Sequence, residues 1–184
     1  MSLQDLPEVS AEVVARAARV RLAVFDVDGV LTDGSLLVGA DDAEAKRFHV
    51  HDGLGLKLLL EQGIEVALIT ARESVAVTAR ARELGIRHVF QGQANKLVCL
   101  DALCQTLGLA REQVAYTGDD LPDLAALQSV GLAIAVANAH SWVASHAHWH
   151  TRQAGGAGAV REVCDLILQA QDRKTAIVAQ HSAR

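Results

Sequence analysis

The feature that most constrains this chain is an apolar run that ends in acid. Leu22-Ala23-Val24-Phe25 leads directly into Asp26-Val27-Asp28-Gly29-Val30-Leu31-Thr32. A short apolar stretch with branched and aromatic residues reads as a buried strand. Two carboxylates one residue apart at the end of such a strand repel each other unless a cation or shared protons offset the charge, and a divalent metal accounts for them best. Asp and Gly are also ordinary turn residues, so Asp-x-Asp-Gly alone reads as a turn as well.

Later polar residues follow apolar runs of their own. Ala67-Leu68-Ile69 ends in Thr70, Lys96 follows Arg87-His88-Val89-Phe90 and a turn at Gly92, and Val114-Ala115-Tyr116-Thr117 ends in Gly118-Asp119-Asp120 with Asp123 beyond. Between these strands the periodicity predicts helices over residues 53–61, 74–84, 95–107 and 121–129, with Gly85 and Gly108 as stops. A further strand is expected over 132–136 and a short helix over 141–145, while Ser10 caps a helix over 10–20. Strands alternating with helices imply right-handed βαβ units, an α/β class and a doubly wound, Rossmann-like parallel sheet. Ligands bind at the carboxyl ends of such strands, where Asp26, Thr70 and Asp119 fall.

The chain has 184 residues, one domain's worth, and 51% of them are hydrophobic. Its net charge of −5 supplies no basic field for a nucleic-acid backbone, so an anionic ligand must be caught by local positive groups. Cys99, Cys104 and Cys164 form no Cys-x-x-Cys pair and read as reduced core thiols. No apolar run approaches the ~20 residues that span a membrane, and the first residues lack a signal-peptide pattern, so the expected compartment is the cytoplasm.

The ordered set Asp-x-Asp-Gly-Val-x-Thr, Thr70, Lys96 and Gly-Asp-Asp-x-x-Asp resembles the four motifs of the haloacid dehalogenase superfamily of phosphotransferases. Too little chain lies between Asp26 and Thr70, or between Thr70 and Lys96, for a cap domain. Phe48-His49-Val50-His51-Asp52-Gly53, Gln91-Gly92-Gln93-Ala94-Asn95-Lys96, residues 114–121 and residues 154–164 resemble the capless 3-deoxy-D-manno-octulosonate 8-phosphate phosphatases, over nearly all of residues 10–171. His51 stands where that family usually has Arg or Lys, and Ala157 where an Arg is common.

The resemblance implies a Mg²⁺-dependent phosphatase of an acidic sugar phosphate in lipopolysaccharide precursor synthesis. An N-acylneuraminate 9-phosphate is the alternative substrate, and a non-catalytic regulatory protein of the same fold the alternative class. Asp26 would attack phosphorus and hold an aspartyl-phosphate, and Asp28 would protonate the leaving oxygen and then activate water. Thr70 and Lys96 would bind the phosphoryl oxygens. Asp26, the Asp28 backbone carbonyl and Asp119 would hold the metal, with Asp120 acting through water. Substrate contacts are implied for Asp28, His49, Val50, His51, Asp52, Gly53, Lys57, Arg72, Arg80 and Lys96.

Residues 33–51 are expected to form a hairpin, with strands at 35–38 and 45–50 around a turn at 39–42. Its Leu36, Val38, Phe48 and Val50 need cover, which other copies of the chain would supply, and the resemblance implies a homotetramer. Gly155 to Gly158 reads as a flexible joint, with an anion-binding nest leading into a helix as the alternative, and residues 172–184 as a flexible tail. His146, His148 and His150 alternate and would share one face of a strand. An edge strand is the preferred reading over a metal site, because no Cys or acid joins them.

Overall fold

The computed structural model describes residues 9–39 and 44–182. Helix α1 (Ala11–Ala17) opens the chain, with the Ser10 side chain accepting from Val13 N. Strand β1 (Leu22–Phe25) follows, then β2 (Leu37–Val38), β3 (Glu44–Ala45), α2 (Val50–Glu61), β4 (Glu65–Ile69), α3 (Val75–Leu84) and β5 (His88–Phe90). The second half runs α4 (Lys96–Leu107), β6 (Val114–Gly118), α5 (Leu124–Leu127), β7 (Leu132–Ala135), α6 (Ser141–Ala144), β8 (Trp149–His150), α7 (Ala159–Ala170) and α8 (Lys174–Ser182).

Six strands pair in the order β5-β4-β1-β6-β7-β8, every neighbouring pair parallel. The doubly wound sheet expected from the alternation is therefore present. β1 lies inside it, with Phe25 level with both Leu68 of β4 and Thr117 of β6. All four β1 residues are buried, because both faces of the sheet are covered. Ala23 and Phe25 face the core under α1, α2, α3 and α7, while Leu22 and Val24 face the one under α4, α5 and α6. β1 and its neighbours thus end at a common level, and the residues that follow share one edge of the sheet.

Residues 33–51 differ from the expectation. The second hairpin strand is only Glu44–Ala45, and α2 begins at Val50, with His49 as its extended N-cap. Phe48 packs against the core and under the Arg80 guanidinium, 5.9 Å from the ring centroid, so it needs no second chain to cover it. Leu36, Leu37 and Val38 are 50%, 58% and 67% exposed, and Val50 77%. The turn expected at 39–42 lies largely outside the described residues.

Two other segments depart from the reading. Gly155 and Gly156 are not a loose joint: Gly155 N donates to Asn138 Oδ1 at 2.8 Å and Gly156 N to Val30 O at 3.0 Å. A Cβ on Gly155 would overlap the Gly29 and Thr32 carbonyls, so this stretch is wedged against the loop after β1. The expected tail is instead helical over α8, which leans on α7. α7 itself carries the apolar face that packs against α2, with Cys164 touching Gly55.

Candidate active site

Parallel register dictates the site. Asp26 N donates to Thr117 O at 3.0 Å, extending the β1–β6 ladder by one residue, so the Asp26 side chain emerges where β4 and β6 also end. Asp26, Asp28, Thr70, Ala71, Arg72, Lys96, Asp119, Asp120, Pro122 and Asp123 line a crevice of about 190 Å³ at that edge.

Asp26 is only 6% exposed. Lys96, the first residue of α4, is buried with its Nζ 2.7 Å from Asp26 Oδ1 and 2.7 Å from Asp123 Oδ1. Asn95 fixes that helix start by accepting from Val98 N at 3.2 Å. Burial alone would depress the Lys96 amine, but the Asp26 and Asp123 charges outweigh it and hold its pKa above the ordinary lysine value. Thr70 is buried, its Oγ1 accepting from Arg72 N at 3.3 Å, and Gln93 N binds the Thr70 carbonyl at 2.9 Å.

Asp26, Asp119 and Asp123 bring carboxylate oxygens within 4.8 Å of one another. Burial first, and the Asp123 charge second, push Asp26 up to about 8 against the pull of Lys96. The same two influences push Asp119 up to about 7. Excess negative charge in a buried, all-oxygen cluster is what a hard divalent cation relieves, and the residues present fit one. Asp123 is the member least free to ligate. Its Oδ1 accepts from Lys96 Nζ and from Tyr116 Oη at 2.7 Å, and its Oδ2 from Asp119 N at 3.0 Å and Asp120 N at 3.4 Å. Every lone-pair direction is engaged, so Asp123 shapes the loop that carries Asp119. Asp120 is exposed, its Oδ1 accepting from Leu121 N at 2.8 Å.

Asp28 faces the crevice mouth. Its Oδ1 is bound by Lys46 Nζ, and its Oδ2 accepts no hydrogen bond among the described residues, the Arg72 Nε lying 4.0 Å away. Glu44 joins both cations, with Lys46 Nζ 2.6 Å from Oε1 and Arg72 Nη2 2.6 Å from Oε2.

Of the substrate contacts expected from sequence, Asp28, Arg72 and Lys96 line this crevice. His49, Val50, His51, Asp52, Gly53, Lys57 and Arg80 are not among its lining residues. They gather around the first turns of α2. Asp52 is buried and spends its Oδ1 on Arg161 N at 2.8 Å, capping α7 from a distant part of the chain. Arg80 lies so close to Gly53 that a Cβ there would meet its guanidinium, and its Nη1 pairs with Glu83 at 2.8 Å. Lys46, Glu44 and the structural part of Asp123 were not anticipated. The only signal for Lys46 was a lysine in a segment that otherwise reads as a hairpin. His146, His148 and His150 point to separate partners, Gln128 Nε2, Ala133 N and Ala144 O, and make no shared site.

A family pattern described as haloacid dehalogenase-like hydrolase matches residues 86–163, which include Lys96, Asp119 and Asp123. The chain is 50% identical over 165 residues to the 3-deoxy-D-manno-octulosonate 8-phosphate phosphatase KdsC of Escherichia coli (strain K12), covering 90% of this chain and 88% of that protein. It belongs to that phosphatase family, within the haloacid dehalogenase-like hydrolases. The crystal structure of the 3-deoxy-D-manno-octulosonate 8-phosphate phosphatase of Yersinia pestis matches with a TM-score of 0.89 and 50% identity, over 90% of this chain and 89% of that one. The phosphatase of Moraxella catarrhalis, solved with magnesium ion, phosphate ion and KDO, matches with a TM-score of 0.92 and 43% identity, over 94% of this chain and 99% of that one. The parallel sheet described above is thus that of a haloacid dehalogenase-like phosphatase.

Proposed function

We propose that this protein hydrolyses 3-deoxy-D-manno-octulosonate 8-phosphate to the free sugar acid and phosphate, in lipopolysaccharide precursor synthesis. The observation that carries the reading is the convergence of Asp26, Asp28, Thr70, Lys96 and Asp119 on one crevice, in a chain half identical to phosphatases of that name. In the reaction, Asp26 attacks phosphorus as the ester bond breaks, and Asp28 gives its proton to the departing sugar oxygen. Water then attacks the aspartyl-phosphate, Asp28 takes the water's proton, and Asp26 is released as a carboxylate with free phosphate. Thr70 and Lys96 hold the phosphoryl oxygens, and the Lys96 charge is preplaced by Asp123. Asp26, the Asp28 main-chain carbonyl and Asp119 would hold Mg²⁺, which when bound offsets negative charge on the phosphoryl group.

The chain acts as one catalytic domain without a cap, in the cytoplasm, where three free buried thiols are at home. It assembles as a homotetramer, with copies covering the exposed Leu36, Leu37 and Val38. In that assembly His49, Val50, His51, Asp52, Gly53, Lys57 and Arg80 belong to the substrate-binding surface together with Asp28, Arg72 and Lys96. The deciding experiment is phosphate release with Mg²⁺ from a panel of acidic sugar phosphates. Highest kcat/KM for the octulosonate 8-phosphate supports the reading, and a preference for an N-acylneuraminate 9-phosphate replaces its substrate. No release from any ester removes it.

A further inference from the structure

Lys46 is a long cation on the segment between β3 and α2, yet its side chain is only 1% exposed. Burying an ammonium group costs several kcal/mol unless carboxylates compensate it, and here two do. Its Nζ lies on Asp28 Oδ1 and 2.6 Å from Glu44 Oε1, and Glu44 Oε2 receives Arg72 at 2.6 Å. The four side chains form a neutral quartet at the crevice mouth. Within it one Asp28 oxygen is engaged, while Oδ2 accepts no hydrogen bond among the described residues.

A free aspartate turns easily about its last side-chain bond, because that torsion is broad and nearly two-fold. A charged hydrogen bond on one oxygen removes that freedom. Resting on the phosphatase reading above, we propose that Lys46 is a positioning residue for proton transfer. By holding Asp28 Oδ1 it presents Oδ2 as the oxygen that carries the proton to the leaving group. As the phosphorus–oxygen ester bond breaks, the proton on Oδ2 passes to the sugar oxygen and Asp28 is left as a carboxylate whose Oδ1 stays on Lys46. In the second half, the attacking water returns a proton to Oδ2. Glu44 orients Lys46 and keeps Arg72 beside the same carboxylate.

A lysine that only anchors the hairpin would change the preference between substrates only by dispersing the assembly, so the variants are compared at the wild-type mass in light scattering. A proton-positioning lysine matters most when the leaving group needs a proton. A sugar alkoxide does, whereas 4-nitrophenolate leaves without one. The measured quantity is therefore the ratio of kcat/KM for the sugar phosphate to kcat/KM for 4-nitrophenyl phosphate, which reports the ester-cleaving half and not the hydrolysis of the aspartyl-phosphate common to both. Lys46→Gln is expected to lower this ratio by about tenfold, a fraction of the roughly 10²–10⁴-fold that a positioned acid contributes, and Lys46→Arg to restore most of it. Arg47→Gln, which breaks the neighbouring surface pair with Asp33 at 2.5 Å, serves as the hairpin control and keeps the wild-type ratio. Equal losses of kcat/KM on both esters in Lys46→Gln, or no loss on either, overturn the proposal.

Asp28→Asn separates the two levels of inference. If it leaves the ratio unchanged, the assignment of Asp28 as proton donor fails. If it lowers the ratio while Lys46→Gln does not, only the role of Lys46 fails. Should Lys46→Gln not fold, Glu44→Gln carries the test, since it removes one of the two anchors of the ammonium. A ratio reduced at least about twofold supports the proposal, and the wild-type ratio overturns it.

Discussion

Gly29 and Asp119 come from loops far apart in sequence, yet the Gly29 Cα faces the Asp119 carboxylate so closely that a Cβ there would overlap Oδ2. Gly29 also has φ +90°, a conformation that costs an ordinary residue about 1–2 kcal/mol. Gly29→Ala therefore strains the loop carrying Asp28 and displaces a proposed metal-holding carboxylate. The expected outcome is a weaker apparent affinity for Mg²⁺, by about tenfold or more at a shift worth about 1.4 kcal/mol, with only a modest loss of thermal stability. Titration of activity with Mg²⁺ beside a melting curve checks it. Unchanged Mg²⁺ dependence would remove Asp119 from the metal site.

The two aspartates of β1's end differ in what surrounds them, and their variants should differ too. Asp26 is buried on Lys96, whereas Asp28 lies at the mouth on Lys46. Asp26→Asn removes the proposed attacking oxygen and is expected to abolish turnover. Asp28→Asn retains the proposed nucleophile and loses the proposed proton relay, so turnover should fall by about 10²-fold or more. Rapid acid quenching should then detect phosphate on the protein for longer than in the wild type. Appreciable turnover by Asp26→Asn would be fatal to the covalent route.

Much of this site was legible because apolar runs ending in Asp26, Thr70 and Asp119 are local signals, and parallel pairing brings strand ends together with no further information. Tertiary contacts were not legible. Asp52 enters from sequence only as a substrate contact implied by the resemblance, and no local pattern tells that its carboxylate caps α7 more than a hundred residues away. Lys46 looked like a strand residue, and only the fold of the segment after β3 turns it onto Asp28. The short second strand of the hairpin was misjudged for a related reason. Alternation suggested residues 45–50, but packing of Phe48 and helix initiation after His49 override the local pattern.

Stability should report the acid cluster without any turnover. In the metal-free protein Asp26 titrates at about 8 and Asp119 at about 7, both raised by burial above their unfolded values of about 4. Between pH 4 and these values the folded state binds more protons than the unfolded one, so unfolding free energy falls as pH rises. With chelator present, the melting temperature should therefore decline from about pH 5 to about pH 8 on account of these groups, and the loss is complete above the folded values. Added Mg²⁺ favours the ionised carboxylates and should raise the melting temperature most at the upper end of that range. Calorimetry across pH with and without Mg²⁺ tests this, and a Mg²⁺ effect equal at pH 5 and pH 8 would contradict it.

The hairpin supplies the last test. Two strands of two residues each are marginal as an isolated unit in water, and the ion pairs of Lys46 with Asp28 and of Arg47 with Asp33 hold only the second strand's side. Leu36, Leu37 and Val38 on the other side remain open, a consecutive apolar run that a closed arrangement of identical copies would bury. Leu36→Asp places a charge where that burial must occur. It should shift the protein from the proposed tetramer toward smaller species in light scattering, while the melting temperature of the subunit changes little because Leu36 contributes nothing to the buried clusters. Turnover of the sugar phosphate should fall more than turnover of 4-nitrophenyl phosphate, since residues 49–53, Lys57 and Arg80 do not line the crevice of their own chain and, in the proposed assembly, a neighbour brings such groups to the sugar. A wild-type protein that is monomeric, with full activity on the sugar phosphate, would mean that a single chain reads its substrate alone.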